Sequence, residues 1–175
     1  MAKQSIVWIV LFLLVNGLSG CAGYPRFLRF AFDAGGRGLN SRSSELTPQV
    51  ASPYITFVSD RNGSQDVYLF DAQARRLINL PGLNSLDEIA SHPAVTEDGR
   101  YLVFAVSRQG KTDIYLYDRQ TQQKRNLTNH LAAEVRKPTI SADGSIIAFE
   151  VAKNGQWDIT VYNRLGKPLV IPGNP

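Results

Sequence analysis

Few side chains in this 175-residue sequence have the chemistry of a catalyst or a metal ligand. The two histidines are His92, beside Pro93, and His130, which follows Asn129. Neither has a cysteine or a second histidine at ligand spacing, so the chain offers no zinc pattern. A serine nucleophile would need a positioned base, and no Gly-x-Ser-x-Gly elbow occurs. Asp60-x-Asn62-x-Ser64-x-Asp66 supplies alternating oxygens like the start of a calcium loop. Its glycine, Gly63, falls at position four of that run where a calcium loop turns at position six. The corresponding stretches Ser107-x-Gln109-x-Lys111 and Ala152-x-Asn154-x-Gln156 lose the carboxylates. These patterns predict a protein that is not an enzyme, with no catalytic side chain, no metal and no cofactor.

Cys21 is the exception. It is the one cysteine of the sequence and has no disulfide partner within the chain. Ahead of it lie Lys3, a ten-residue apolar run over 6–15, a break at Asn16-Gly17, and Leu18-Ser19-Gly20. A membrane-spanning helix needs roughly 20 apolar residues, so the run is too short to span and suits a signal h-region. Leu18-Ser19-Gly20-Cys21 resembles the lipobox of bacterial lipoproteins, in which the cysteine is acylated and becomes the mature N-terminus. The expectation is an exported chain, lipidated at Cys21, on the periplasmic side of an inner or outer membrane. The alternative is an ordinary signal peptide that precedes a cysteine.

Charge divides the remainder. Over 21–42 four arginines (Arg26, Arg29, Arg37, Arg42) face only Asp33, while from residue 43 onward fourteen basic residues balance fourteen acidic ones. The basic balance thus belongs to a membrane-proximal tether, where Phe27, Phe30 and Phe32 alternate with cations. That mixture suits either an anionic headgroup surface or a solvated linker. With no basic excess in 43–175, and with export, nucleic acid is excluded as a partner. The predicted organisation is a signal peptide over 1–20, a tether over 21–42 and one folded domain over 43–175.

That domain is three copies of one unit. Tyr54-Ile55-Thr56-Phe57 corresponds to Tyr101-Leu102-Val103-Phe104 and to Ile146-Ile147-Ala148-Phe149. Asp66-Val67-Tyr68 corresponds to Asp113-Ile114-Tyr115 and to Asp158-Ile159-Thr160. Each copy reads as four short strands. Pro93 and Pro138 are expected at the first position of a strand, where they remove no ladder bond. Asp98-Gly99 and Asp143-Gly144 are turn pairs of the kind that takes positive φ at both central residues. Phe57, Phe104 and Phe149 sit mid-strand among apolar neighbours and are assigned to the core. Asp66, Asp113 and Asp158 are expected to accept backbone N–H groups of the preceding turn. No segment after residue 20 carries sustained helical periodicity. A repeat of about 45 residues with four strands marks an all-β, propeller-type fold. Its blades are expected at about 43–91, 92–136 and 137–175.

Pro-x-x-Ser/Thr-x-Asp-Gly, then Phe-x-x-x-Arg-x-Gly, Asp-Ile-Tyr and Asn-Leu-Thr, resemble the blades of TolB-family β-propellers, including short lipoprotein members from cyanobacteria. The resemblance covers 43–175. It implies an envelope protein that binds other proteins, in a Tol-like system or another transport assembly. The family's propellers have six blades and follow an α/β domain, and this sequence has three blades and no room for that domain.

Arg61, Arg108 and Lys153 share one repeat position, in the loop between second and third strands, near the long inter-blade connections. Loops clustered on one end of a rigid scaffold are where binding residues gather. They are therefore the expected partner-binding residues, together with Trp157; the alternative is that each cation pairs with its own blade's aspartate. The leading functional class is a lipid-anchored scaffold or adaptor for an envelope protein or peptide. Carbohydrate capture (peptidoglycan or exopolysaccharide) and a regulatory propeller derived from a hydrolase are the alternatives. Three blades are expected to leave two apolar flanks exposed. A homodimer completing a six-bladed ring, a tether that covers one flank, and pairing with another propeller protein each answer that problem.

Overall fold

Alternating apolar and polar residues drive each repeat into antiparallel strands, and a computed structural model of the chain, describing residues 35–170, shows how these stack. Blade 1 contains β1 (Glu45–Ala51), β2 (Tyr54–Ser59), β3 (Asp66–Asp71) and β4 (Arg76–Ile78). Blade 2 contains β5 (Ile89–Val95), β6 (Tyr101–Arg108), β7 (Lys111–Asp118) and β8 (Gln123–Asn126). Blade 3 contains β9 (Val135–Ile140), β10 (Ile146–Lys153) and β11 (Gln156–Asn163). Every strand pairs antiparallel with its sequence neighbour. In blade 3 the fourth strand is reduced to the pairing of Pro168 with Tyr162 and the bond from Leu169 N–H to the Val161 carbonyl. The described residues belong to one compact unit, Ala31–Pro175. Cys21, Arg26, Phe27, Arg29, Phe30, Phe32 and the signal segment lie outside the described residues.

The innermost strands begin before the prolines. Pro48, Pro93 and Pro138 lie inside β1, β5 and β9, each beside a β-bulge where the register shifts. The residue ahead of each is left-handed: Thr47 at φ 47°, His92 at 48° and Lys137 at 50°. A bulge inserts an unpaired residue, so a proline is tolerated there without breaking the ladder. Blade borders accordingly fall in the connections 79–88 and 127–134, ahead of the sequence expectation. Turn chemistry also differs from expectation. At Asp98-Gly99 and Asp143-Gly144 only the glycines have positive φ. Gln109-Gly110 and Asn154-Gly155 carry positive φ at both residues and close the two-residue hairpins β6–β7 and β10–β11.

Blades stack face to face. Val58, Val67 and Leu69 of blade 1 pack against Leu102, Phe104, Val106 and Tyr117 of blade 2. On the other side of blade 2, Tyr101, Val103, Ala105, Ile114 and Leu116 pack against Ile147, Phe149, Val151 and Tyr162. Each blade thus has a leading face toward the preceding blade and a trailing face toward the next. One lock recurs between them. The Tyr54 ring lies so close to Gly99 that a Cβ there would come within 2.4 Å, and the Arg119 guanidinium sits 5.6 Å from the ring centroid. Tyr101 meets Gly144 and Arg164 in the same way, at 3.0 Å and 4.7 Å.

Of the two flanks expected to be exposed, one is covered. Phe57 and Phe70 on the leading face of blade 1 are buried, at 2% and 1% exposure, although no blade among the described residues packs on that face. Arg61 explains part of this. Its guanidinium packs over Phe57 and Tyr68, at 5.2 Å and 4.7 Å from the ring centroids. It donates to the carbonyls of Gly36, Gly38 and Leu39 and to Glu45 Oε1 at 2.8 Å. Arg61 therefore clamps the end of the tether over blade 1, and its side chain is only 5% exposed.

Two stability outcomes follow from this packing. Arg61→Met should lower stability by about 2–4 kcal/mol, because it removes the ion-pair partner of Glu45, which keeps only its Ser41 and Ser59 hydrogen bonds, and leaves three carbonyls without their donor. Chemical denaturation measures the loss, and limited proteolysis should cut first within 35–45. Gly99→Ala combines a left-handed φ with the Tyr54 contact, so it should cost about 2–4 kcal/mol, against about 1 kcal/mol for Gly63→Ala, whose left-handed site is open. Equal denaturation midpoints for the two variants would refute the Tyr–Gly lock.

Candidate functional site

The three bulges come together at the inner edge of the blades. Thr47-Pro48-Gln49, His92-Pro93-Ala94 and Lys137-Pro138-Thr139 line one cavity of about 290 Å³. A bulge leaves backbone polar groups outside the ladder, so this lining combines proline rings with hydrogen-bonding main chain. His92 and Lys137 are exposed there, and no carboxylate is in the lining. The Gln49 side chain is tied into the frame, its Oε1 accepting from Val95 N–H at 3.0 Å. Lys137 lies 3.3 Å from Glu150. The cavity can hold an extended backbone and an anionic group by contact and charge. It contains no nucleophile beside a base, and among the described residues no three His, Cys, Asp or Glu side chains gather as a metal site. Sequence reasoning gave His92 no functional role, only a place in a loop or in packing; its signal was the repeated x-Pro at equal spacing in three blades.

The residues expected to bind a partner have four different settings. Arg61 is consumed by the tether clamp. Arg108 ion-pairs with Asp87 of the 79–88 connection. Lys153 is exposed at the β10–β11 hairpin. Trp157 is half-buried with the Arg136 guanidinium 3.7 Å from its ring centroid, so one ring face is already covered. Neither arginine pairs with its own blade's aspartate. Asp66 accepts from Ser64 Oγ, Asp113 from Thr128 Oγ1 with Lys111 alongside, and Asp158 from Gln156 Nε2. Turn N–H groups are instead capped one strand later, by Asp71, Asp118 and Asn163. The calcium-like run is likewise spent internally: Asp60 Oδ1 accepts Ser44 N–H.

Electrostatics follow burial and pairing. Burial, reinforced by the Asp66 charge, pushes the Tyr68 hydroxyl up to about 12. Burial also raises Asp66, opposed by the Ser64 hydrogen bond. The hydrogen bond from Arg136 holds Glu150 below the usual carboxylate range. The Arg100 hydrogen bond does the same for Asp118. None of these groups forms an acid–base pair facing the cavity.

No family model and no curated protein sequence matches the chain. Solved structures do. TolB from Acinetobacter baumannii is similar at 24% identity and TM-score 0.57, over 71% of this chain and 31% of that one. The β-propeller domain of the Trilobed protease from Pyrococcus furiosus matches at 12% identity and TM-score 0.53, over 73% and 42%. A puromycin-hydrolyzing peptidase from Mycobacterium tuberculosis matches at 14% identity and TM-score 0.54, over 73% and 20%. The chain therefore spans less than half the length of each of these proteins, and identities this low speak for architecture alone. Three stacked antiparallel blades, their repeat motifs and these neighbours together identify the fold as that of a TolB-like β-propeller.

Proposed function

We propose that this chain is an exported, lipid-anchored scaffold of the bacterial envelope that holds an extended segment of another envelope protein across its inner cavity. The observation that carries the reading is the triple bulge. Three strands present proline rings, bulged main chain, one imidazole and one ammonium to a single concavity, with no nucleophile placed beside a base in the lining. Rigid frames with adaptable polar contacts suit binding, and the positive lining favours an acidic segment. The lipobox-like Leu18-Ser19-Gly20-Cys21 supports the anchor, and the blade resemblance supports a place in a Tol-like or other envelope assembly. Carbohydrate capture is less well supported, because Arg136 already stacks on the tryptophan that would stack on a sugar.

Two experiments test this. Metabolic labelling with an alkyne fatty acid should mark the wild-type chain and lose the mark in Cys21→Ala; equal labelling of both sinks the anchor. For the scaffold, cross-linking in intact membranes should recover a protein partner. His130→Gln, at a residue outside the cavity lining, should leave that recovery within about twofold. Lys137→Glu should reduce it about tenfold by reversing the charge of the lining. Equal recovery with wild type and Lys137→Glu would count against the cavity as the binding surface.

A further inference from the structure

A second cavity, of about 240 Å³, opens between blades 2 and 3, and Tyr101, Asp118, Gln123, Arg125, Arg164 and Leu165 are among its lining. Both of its walls are blades of this chain. Its one carboxylate is already occupied. Arg100 Nε and Nη2 donate to Asp118 at 3.1 and 2.9 Å, and Gln120 N–H donates to it at 2.9 Å. Arg125 and Arg164 have no such partner: among the described residues neither enters an ion pair. Arg125 donates to the Arg164 carbonyl, and the Arg164 guanidinium lies 4.7 Å from the Tyr101 ring centroid. A carbonyl and a ring cancel no formal charge, so the cavity presents two positive charges beyond the neutral Arg100–Asp118 pair.

Blade stacking does not demand this arrangement. Ile78 pairs with Leu69 in blade 1 where Arg125 pairs with Leu116 in blade 2. Pro53 holds the place of Arg100, and Arg76 holds that of Gln123. Arg119 covers Tyr54 as Arg164 covers Tyr101. The groove between blades 1 and 2 therefore sets two arginines against Asp71, while the groove between blades 2 and 3 sets three against Asp118.

We infer that the cavity between blades 2 and 3 is a binding site for a phosphate monoester. Arg125 and Arg164 hold the dianionic head, and the organic part lies against Tyr101 and Leu165. A phosphate monoester carries about −1.5 to −2 charges near neutral pH and three acceptor oxygens, so it can answer both guanidiniums at once. A carboxylate brings one charge and fewer oxygens. Arginine's planar fork of donors also matches phosphate in a way that a lysine does not. The phosphate can belong to a soluble ester or to a lipid headgroup.

Calorimetric titration of the full chain, extracted in a neutral detergent, tests this with inorganic phosphate at constant ionic strength. Phosphate should bind saturably, and acetate at least about tenfold more weakly, because it matches only one guanidinium. Arg125→Gln removes an exposed side chain and should weaken phosphate at least about fivefold with an unchanged melting temperature. Arg164→Gln should weaken it as much, but it also uncovers Tyr101. Arg119→Gln is the matched control: it uncovers Tyr54 in the same way and should leave phosphate binding within about twofold. Dihexanoyl phosphatidic acid, compared with dihexanoyl phosphatidylcholine, separates the two sources. Arg125-dependent binding of the phosphatidic acid tighter than that of inorganic phosphate assigns a lipid headgroup, and equal or weaker binding assigns a soluble ester. Four results would each overturn the inference: no saturable binding of either phosphate compound, acetate binding as tightly as phosphate, binding unaltered in Arg125→Gln, or an equal loss in Arg119→Gln.

Discussion

The fold depends on one contact that occurs twice: a tyrosine ring of one blade pressed against a side-chain-free glycine of the next and covered by an arginine. Tyr54 with Gly99 and Arg119, and Tyr101 with Gly144 and Arg164, set the spacing between successive sheets. A four-stranded sheet has two faces and can bury neither alone, so blade separation decides how much apolar surface leaves water. Thr96 reinforces the geometry by donating to Asp98 and accepting Tyr101 N–H, which braces the turn that carries Gly99. Loosening this contact would affect both core clusters, since blade 2 contributes a face to each.

The leading face of blade 1 and the trailing face of blade 3 carry different chemistry. On the first, a guanidinium ties tether carbonyls across Phe57 and Tyr68. On the second, Glu150 stands where Val58 and Ala105 stand and pairs with Arg136, within a face that otherwise keeps its repeat pattern. The change in polarity is partial, and Ile159 is exposed on the same face.

Much of this was legible in the sequence because repetition converts single residues into triplets. Phe57, Phe104 and Phe149 read as core, and each is almost fully buried. The strands and their order followed from the same alignment of repeats. What did not follow was anything set by contacts between blades or with the tether. The Arg61, Arg108 and Lys153 triplet looks like one surface feature, yet its members meet a tether, a connection and solvent. The prolines read as strand starts because bulges leave no compositional mark beyond the proline itself. The repeated aspartates were assigned to the wrong hydrogen bonds for a related reason: Asp66 and Asp71 border loops at opposite ends of β3, and only the fold shows which one caps turn N–H groups.

The left-handed residues ahead of the three prolines have a further consequence. Because the bulge fixes the backbone, Thr47, His92 and Lys137 hold equivalent places on the frame while differing in size, polarity and charge. The Thr47 hydroxyl is buried, whereas His92 and Lys137 are exposed. Under the proposed scaffold role, a segment laid across the arc would meet imidazole and ammonium at one end of it and neither at the other. Such a frame would distinguish the direction of a segment as well as its composition, an asymmetry that three identical blades would lack.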